Sequence, residues 1–534
     1  MKCRNSLLSL GSLALVALSH AACAADADPE VACAALAELS TPAFRVDLAE
    51  WNRAGPVPTG PGGATTELPA HCRFQVVLDP RTSDLEGLSY GVGFELRLPL
   101  EWNGRFLFQG GGGMNGSLGA AIGNVNGAPS ALARGFAVVS TDGGHRGGSP
   151  IDSRFAVDQQ ARLDFAYGAV TRTTYEAKAV VERYYGRRPE HSYFMGCSTG
   201  GREAMLVAQR LPLEYDGVVA GNAAFNFSRL VANQLWSLQT VTRHAPRDAS
   251  GKPQTSQLFS DAQLKAVADG VLASCDALDG LADGMINDFQ ACRFDPVQLQ
   301  CSSTGAPGPE QCLSHTQVTA LQELVGGAQD SRGNSLYGST VYDTGIATAA
   351  WRGMHFGNGD NPPGNAGLGR DTMANYILTP MQPDLDPLAF DFDRDMPRTL
   401  ETAAINDAVS TLHSTFAGQG GKLIVYHGLS DQGMFAGPIL DWYNRITPRS
   451  DRGPQDWARL FMIPGMTHCG GGQSTDQFDM LTAIQQWVEQ GKAPDLVTAT
   501  GRAFPGVERP LCPYPQVARY DGGDPAQAAS FSCR

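Results

Sequence analysis

The chain has 534 residues, 42% of them hydrophobic and 18% charged, an ordinary globular composition that is long enough for two structural units and unlike that of a disordered chain. Its formal net charge of −14 works against nucleic acid or an anionic membrane surface as a partner, and no basic run of the kind that grips phosphates occurs. At the N-terminus, Lys2 and Arg4 precede a mostly apolar stretch over 6–18 and the small residues Ala22, Cys23 and Ala24. This order predicts a secretory signal peptide over 1–24, because the apolar run is shorter than the roughly 20 residues of a membrane span. Acylation at Cys23 is the alternative, and no other segment is apolar enough to cross a bilayer. The protein is therefore expected to be secreted or periplasmic. Cleavage after Ala24 removes Cys3 and Cys23 and leaves ten of the twelve cysteines. An even number in an oxidising compartment, with no C-x-x-C pair, predicts disulfides rather than zinc or redox chemistry.

Residues 25–70 carry little pattern. Phe94-Glu95-Leu96-Arg97-Leu98 then alternates as a half-buried strand does. Arg105-Phe106-Leu107-Phe108 is a second strand, running into the glycines 110–113, and 135–140 is a third, ending at Asp142-Gly143-Gly144-His145. An amphipathic helix is predicted over 171–185, a strand over 192–196, a helix over 201–211 and a strand over 215–221. Short apolar strands that end in glycine turns and alternate with helices imply a mostly parallel α/β sheet. Residues 225–410 lack that alternation and hold four of the cysteines. They are read as an inserted lid domain between the two parts of the α/β core, 25–224 and 411–534. The strand signal resumes over 422–426 and 458–463, and a last amphipathic helix is predicted over 479–490.

Gly196-Cys197-Ser198-Thr199-Gly200 fits G-x-S-x-G. Its flanks carry the weight: a predicted strand ends in it and a predicted helix follows, the setting of a nucleophile elbow that lifts a serine Oγ above the sheet edge. A serine nucleophile needs a base, and the base needs a group that orients it. His468, beyond the strand ending at 463, and Asp431, beyond the strand ending at 426, follow Ser198 in the chain order such sheets use, and both fall where strands deliver their carboxyl ends. His427 competes for the base role, but its place at the start of a loop favours a structural partner. For the oxyanion, the N–H groups of Gly113 and Thr199 are the expected donors; a merely flexible loop is the alternative for the glycine run.

A second dense motif runs from Cys275 to Met285. Asp276, Asp279 and Asp283 supply hard oxygen ligands, and the carbonyls of Leu281 and Met285 complete a possible shell for a structural Ca2+ ion. The spacing is not that of an EF-hand, and an acidic solvated turn remains open.

The segments Gly196-Cys197-Ser198-Thr199-Gly200-Gly201-Arg202-Glu203, 276–285, His427-Gly428-Leu429-Ser430-Asp431 and Gly465-Met466-Thr467-His468-Cys469 resemble the tannase and feruloyl esterase family over essentially the whole mature chain. The resemblance implies an α/β-hydrolase fold and a serine esterase acting on small esters of aromatic acids, of the terephthalate-monoester, feruloyl or galloyl kind, with no obligate protein partner. It implies a lid that shapes the acyl pocket, with Phe227 as a wall (or as plain core packing) and Arg370 as the cation available to a substrate carboxylate. With closeness in sequence it also implies the pairings Cys33–Cys72, Cys275–Cys292, Cys301–Cys312 and Cys512–Cys533. Cys197–Cys469 has the further reason that both residues adjoin a nucleophile and base that must meet. A non-catalytic, calcium-stabilised binding protein on the same fold and a peptidase with the same triad are the rival readings.

Overall fold

The computed structural model describes residues 28–58, 65–302, 311–446 and 453–534; the expected signal peptide lies outside them. A ten-stranded sheet is built from β1 (Phe44–Asn52), β2 (His71–Thr82), β3 (Ser89–Pro99), β4 (Arg105–Gln109), β5 (Ala137–Thr141), β6 (His145–Arg146), β7 (His191–Cys197), β8 (Gly217–Gly221), β9 (Lys422–Gly428) and β10 (Ala458–Ile463). The spatial order is β1-β2-β3-β5-β4-β7-β8-β9-β10, with β6 paired to β3. The β1/β2, β2/β3 and β3/β5 pairs are antiparallel, and every pair from β5 to β10 is parallel.

The parallel strands are apolar on both faces because helices cover both. Alternate residues divide between two cores, as a period of two requires. Phe106, Phe108, Val139, Phe194 and Val218 point to one side, where helices α1 (Ala169–Tyr185) and α2 (Thr199–Arg210) pack. Leu107, Val138, Tyr193, Val219 and Ile424 point to the other, against Leu481, Ile484 and Trp487 of the helix Met480–Gln490.

Three sequence expectations need correction. Residues 25–70 contain several elements after all, β1 among them; it is an edge strand with one neighbour, so its side chains stay half-buried and its pattern is weak. Cys33–Cys72 ties the short helix before it to β2. The polar positions 95 and 97 of β3 do not face water. Glu95 and Arg97 are buried, and the Glu95 carboxylate accepts from Arg97, Arg73, Gln75 and the Ala121 N–H. Burial pushes the Glu95 carboxyl up, and Arg97 and the other donors outweigh it and hold it below its ordinary value. Finally, α2 begins at Thr199 rather than 201, which puts the helix start directly against Ser198.

Between β8 and β9 the described residues form helices and contribute no strand to the sheet. Among them are α3 (Phe227–His244), α4 (Asp261–Cys275), α5 (His315–Gly326), α6 (Ala349–His355) and α7 (Gly364–Thr372). Capping boxes start α4 and α5: the Ser260 and Ser314 hydroxyls accept from the third residue of each helix, and Gln263 and Gln317 bond back. All five expected disulfides are present. No described helix is long and apolar enough to cross a membrane.

Candidate active site

Strand β7 ends at Cys197 and α2 starts at Thr199, leaving Ser198 alone in the turn with φ +64° and ψ −123°. A non-glycine residue held there costs on the order of 1–3 kcal/mol and persists only where its surroundings impose it. Here they do. Ser198 N–H donates to Gly221 O at 3.1 Å, and Ala224 N–H donates to Ser198 O at 3.1 Å. The glycines serve close packing: a Cβ on Gly196 would lie 2.5 Å from Gly200 O, and one on Gly200 would lie 2.7 Å from Gly111 O.

That second approach docks the glycine loop onto the helix start. Gly110 N–H donates to Met195 O at 2.9 Å, Gly200 N–H to Gly111 O at 2.9 Å, and the Thr199 hydroxyl to Gly113 O at 2.6 Å. Gly113 sits at φ +56°, and a Cβ there would come 2.2 Å from Pro150 O, so the position excludes other residues. Thr199 N–H, at the first turn of α2, has no acceptor within the helix. It and Gly113 border the same cavity as Ser198. Glu203, which sequence reasoning passed over, also holds this loop: its buried Oε2 accepts from Gly111 N–H at 2.8 Å.

Asp431 and His468 lie on the loops after β9 and β10. His468 Nδ1–H donates to Asp431 Oδ2 at 2.8 Å. The Gly433 and Met434 N–H groups donate to Asp431 Oδ1 at 2.9 and 3.0 Å. Burial raises the Asp431 carboxyl, but the His468 charge and hydrogen bond and the other donors win and hold it at about 2. Burial likewise pushes the His468 imidazole down, and Asp431 pushes it up by more, so it lies above its ordinary value. Asn222 was missed as well. It follows β8 at φ +35°, is fully buried, and donates Nδ2–H to Asp431 Oδ2 at 2.6 Å. The only sequence signal was its place at the carboxyl end of a strand. His427 has the structural partner expected of it, Met434 O at 2.9 Å. The Cys197–Cys469 bridge, 6.0 Å between Cα atoms, joins the loop of Ser198 to that of His468.

Ser198, Asp431, His468, Gly113 and Thr199 border one cavity of about 230 Å3. Its far walls come from 225–410: Phe227, Leu230 and Val231 of α3, Met354 of α6 and Leu368 of α7. The structure brings Phe227 to this cavity and does not bring Arg370 there. The Arg370 guanidinium turns away to Asp371 Oδ1 at 2.5 Å, Pro383 O at 2.7 Å and Leu385 O at 3.3 Å. A larger groove of about 850 Å3, beside Phe225 and Pro438, contains none of the five residues.

In the 276–285 loop, Asp276 accepts from the Asp283 and Gly284 N–H groups, Asp279 from Leu281 N–H and Asn287, and Asp283 from Met285 N–H and Arg509. Among the described residues no three His, Cys, Asp or Glu side chains converge as a ready-made metal cage. Of the three carboxylates only Asp283 meets a guanidinium, that of Arg509; Asp276 and Asp279 have neutral N–H donors. Burial raises the carboxyls of both Asp279 and Asp283, and the neighbouring carboxylates raise them further.

The sheet order, the serine on its strand-to-helix turn and the acid and histidine on later strand ends have the architecture of an α/β-hydrolase. The family model for tannase and feruloyl esterase matches residues 77–534, and the chain belongs to that family and is a carboxylic ester hydrolase. It is 38% identical to mono(2-hydroxyethyl) terephthalate hydrolase of Piscinibacter sakaiensis over 91% of this chain and 88% of that one. It is 31% identical to a probable feruloyl esterase B-1 of Neosartorya fischeri over 86% of each chain. The crystal structure of feruloyl esterase B from Aspergillus oryzae superposes with a TM-score of 0.78 at 26% identity, covering 95% of this chain and all of that one.

Proposed function

We propose that this protein hydrolyses esters of aromatic carboxylic acids through an acyl-enzyme on Ser198. The Ser198 Oγ attacks the ester carbonyl carbon while His468 Nε2 takes its proton. Asp431 holds Nδ1–H, which fixes the tautomer and stabilises the imidazolium. The N–H groups of Gly113 and Thr199 face the developing oxyanion. Collapse expels the alcohol with the proton returned by His468, and water repeats the sequence to free the acid. The observation that carries this reading is the convergence of Ser198 and the His468–Asp431 pair on a single apolar cavity. Its volume of about 230 Å3 exceeds the roughly 150 Å3 of a cavity that takes up benzene. The relatives' named substrates are aromatic acid esters, in line with that fit. Purified protein should hydrolyse methyl ferulate, methyl gallate or mono(2-hydroxyethyl) terephthalate, and Ser198→Ala should lower kcat by roughly 10⁴-fold or more with the fold retained. A variant retaining a tenth of the activity would exclude Ser198 as nucleophile.

Export fits the same reading, since five disulfides belong in an oxidising compartment; the mature N-terminus should follow Ala24. The 276–285 loop is proposed to bind Ca2+ for stability. The support is three carboxylates in one loop, of which Asp283 pairs with Arg509 while Asp276 and Asp279 have only neutral N–H donors, with the Leu281 and Met285 carbonyls as further ligands. Chelation should lower Tm and added Ca2+ should restore it by mass action; an unchanged Tm would remove the ion.

A further inference from the structure

We propose that His355 is a positioning residue for Asp431: from the inserted helices it fixes the peptide group that holds the Asp431 carboxylate. This rests on reading Asp431 as the group that orients His468. His355 closes α6, is 2% exposed and is not among the residues that line the cavity beside Ser198, so it acts away from substrate. Its Nε2–H donates to Gln432 O at 3.0 Å. The peptide unit that carries this carbonyl carries the Gly433 N–H at its other end, and that N–H donates to Asp431 Oδ1 at 2.9 Å. A trans peptide is planar, with its C=O and N–H pointing in opposite directions. Holding the carbonyl therefore aims the N–H. The end of β9 places Asp431, and His355 sets the donor that its Oδ1 meets, which leaves Oδ2 turned to His468 Nδ1–H at 2.8 Å.

The His355 ring is fixed both in its plane and in its tautomer. A carbonyl oxygen only accepts, so the proton facing Gln432 O lies on Nε2. Burial pushes the imidazole down to about 4, so at neutral pH the ring is uncharged and Nδ1 is a bare acceptor. The Ser237 hydroxyl of α3 donates to it at 2.7 Å, and Asn365 Nδ2–H of α7 donates to Ser237 Oγ at 3.1 Å. Trp351 lies against the ring, 4.2 Å between centroids. Three helices thus build one directed chain, from Asn365 through Ser237 and His355 to Gln432, and it ends on the loop after β9. A histidine that merely satisfies the core needs a partner anywhere; this one ends on the peptide that binds Asp431. The inserted segment also grips the residue before Asp431: Ser430 Oγ donates to Asp343 Oδ2 at 2.9 Å and accepts from Gly345 N–H at 2.9 Å. Between the two grips, the one through Gln432 reaches a peptide that itself bonds the carboxylate.

The test uses His355→Phe, which keeps a ring against Trp351 without a donor, and His355→Gln, whose amide N–H can reach Gln432 O as Nε2–H does. His355→Phe should lower kcat about tenfold, the upper range of one net hydrogen bond, with KM within about twofold. The loss should be the same on p-nitrophenyl acetate as on the aromatic ester that the wild type hydrolyses fastest. His355→Gln should recover kcat to within about threefold of the wild type, while its Tm stays as low as that of His355→Phe because the flat ring is gone. Equal kcat losses in the two variants would make His355 structural and overturn the proposal. A raised KM on the aromatic ester with an unchanged rate on p-nitrophenyl acetate would overturn it too, by placing His355 in the shaping of the far wall. Ser237→Ala keeps His355 and removes a single oxygen, so it serves where His355→Phe does not fold: kcat should fall about two- to threefold in the same pattern, and an unchanged kcat would overturn the proposal. Activity that survives Asp431→Asn would overturn the reading of Asp431 and this proposal together. Activity lost in Asp431→Asn but complete in His355→Phe would overturn this proposal alone.

Discussion

The two ends of the cavity beside Ser198 are made differently. At the reacting end, each group sits within a few residues of the carboxyl end of a parallel strand: Ser198 after β7, Asn222 after β8, Asp431 after β9 and His468 after β10. Backbone hydrogen bonds, glycine contacts and one disulfide fix those positions, so the geometry is a property of the sheet. At the far end, the walls come from α3, α6 and α7 in the inserted helices, and their contacts with one another set the shape. On the proposed mechanism chemistry is separated from choice of acid, and substitutions at the two ends should have different kinetic signatures.

The largest effect should come from Asp431→Asn. Loss of the carboxylate that orients His468 should lower kcat by about 10⁴-fold. The pH profile adds a sharper reading. Asp431 raises the imidazole, and the base must be neutral, so wild-type kcat/KM should fall as pH drops through a value above the ordinary histidine pKa of about 6.5. Without the carboxylate that acid limb should move to lower pH. A limb that stays in place would show that another group governs it.

Replacing Cys197 and Cys469 together with Ala should lower kcat by up to about 100-fold, the cost of roughly an ångström of misplacement between nucleophile and base. The folded fraction, followed by circular dichroism, should fall far less. Undiminished kcat would make the bridge a matter of stability alone and blur the division between the two ends.

Phe227→Ala should act through the far end. Losing a buried aromatic wall, worth about 1.5–3 kcal/mol, should lower kcat/KM on aromatic esters by about ten- to a hundredfold while the rate on p-nitrophenyl acetate, which has no ring in its acyl part, changes little. Equal losses on both would place Phe227 in the core rather than the pocket. Arg370→Ala should have the smallest effect, with KM for mono(2-hydroxyethyl) terephthalate and for methyl gallate both essentially unchanged. A selective rise for the terephthalate ester would show that the guanidinium leaves Asp371 to meet substrate.

The placement of Ser198, Asp431 and His468 at strand ends was legible in the sequence because its signals are local. G-x-S-x-G between a strand and a helix needs only neighbouring residues, and Asp431 and His468 each follow an apolar run that can be recognised alone. Asn222 and Glu203 were not legible, since each acts on a group far along the chain, Asp431 in one case and Gly111 in the other. The alternation in β3 was read correctly as a strand and wrongly as half-exposed: only pairing with β2 brings Arg73 and Gln75 to Glu95 and makes burial of its charge tolerable.

By itself, then, the order of residues determined the α/β core, the strand ends that carry Ser198, Asp431 and His468, and the glycines that let their loops approach, because periodicity and turn chemistry act over a few residues. Only the tertiary structure decided which way Arg370 points, which buried polar atoms of α3, α6 and α7 meet, and how large a cavity the helices leave above the serine. Those properties depend on side chains distant in sequence meeting at van der Waals and hydrogen-bond range, where a shift of an ångström turns a contact into a gap.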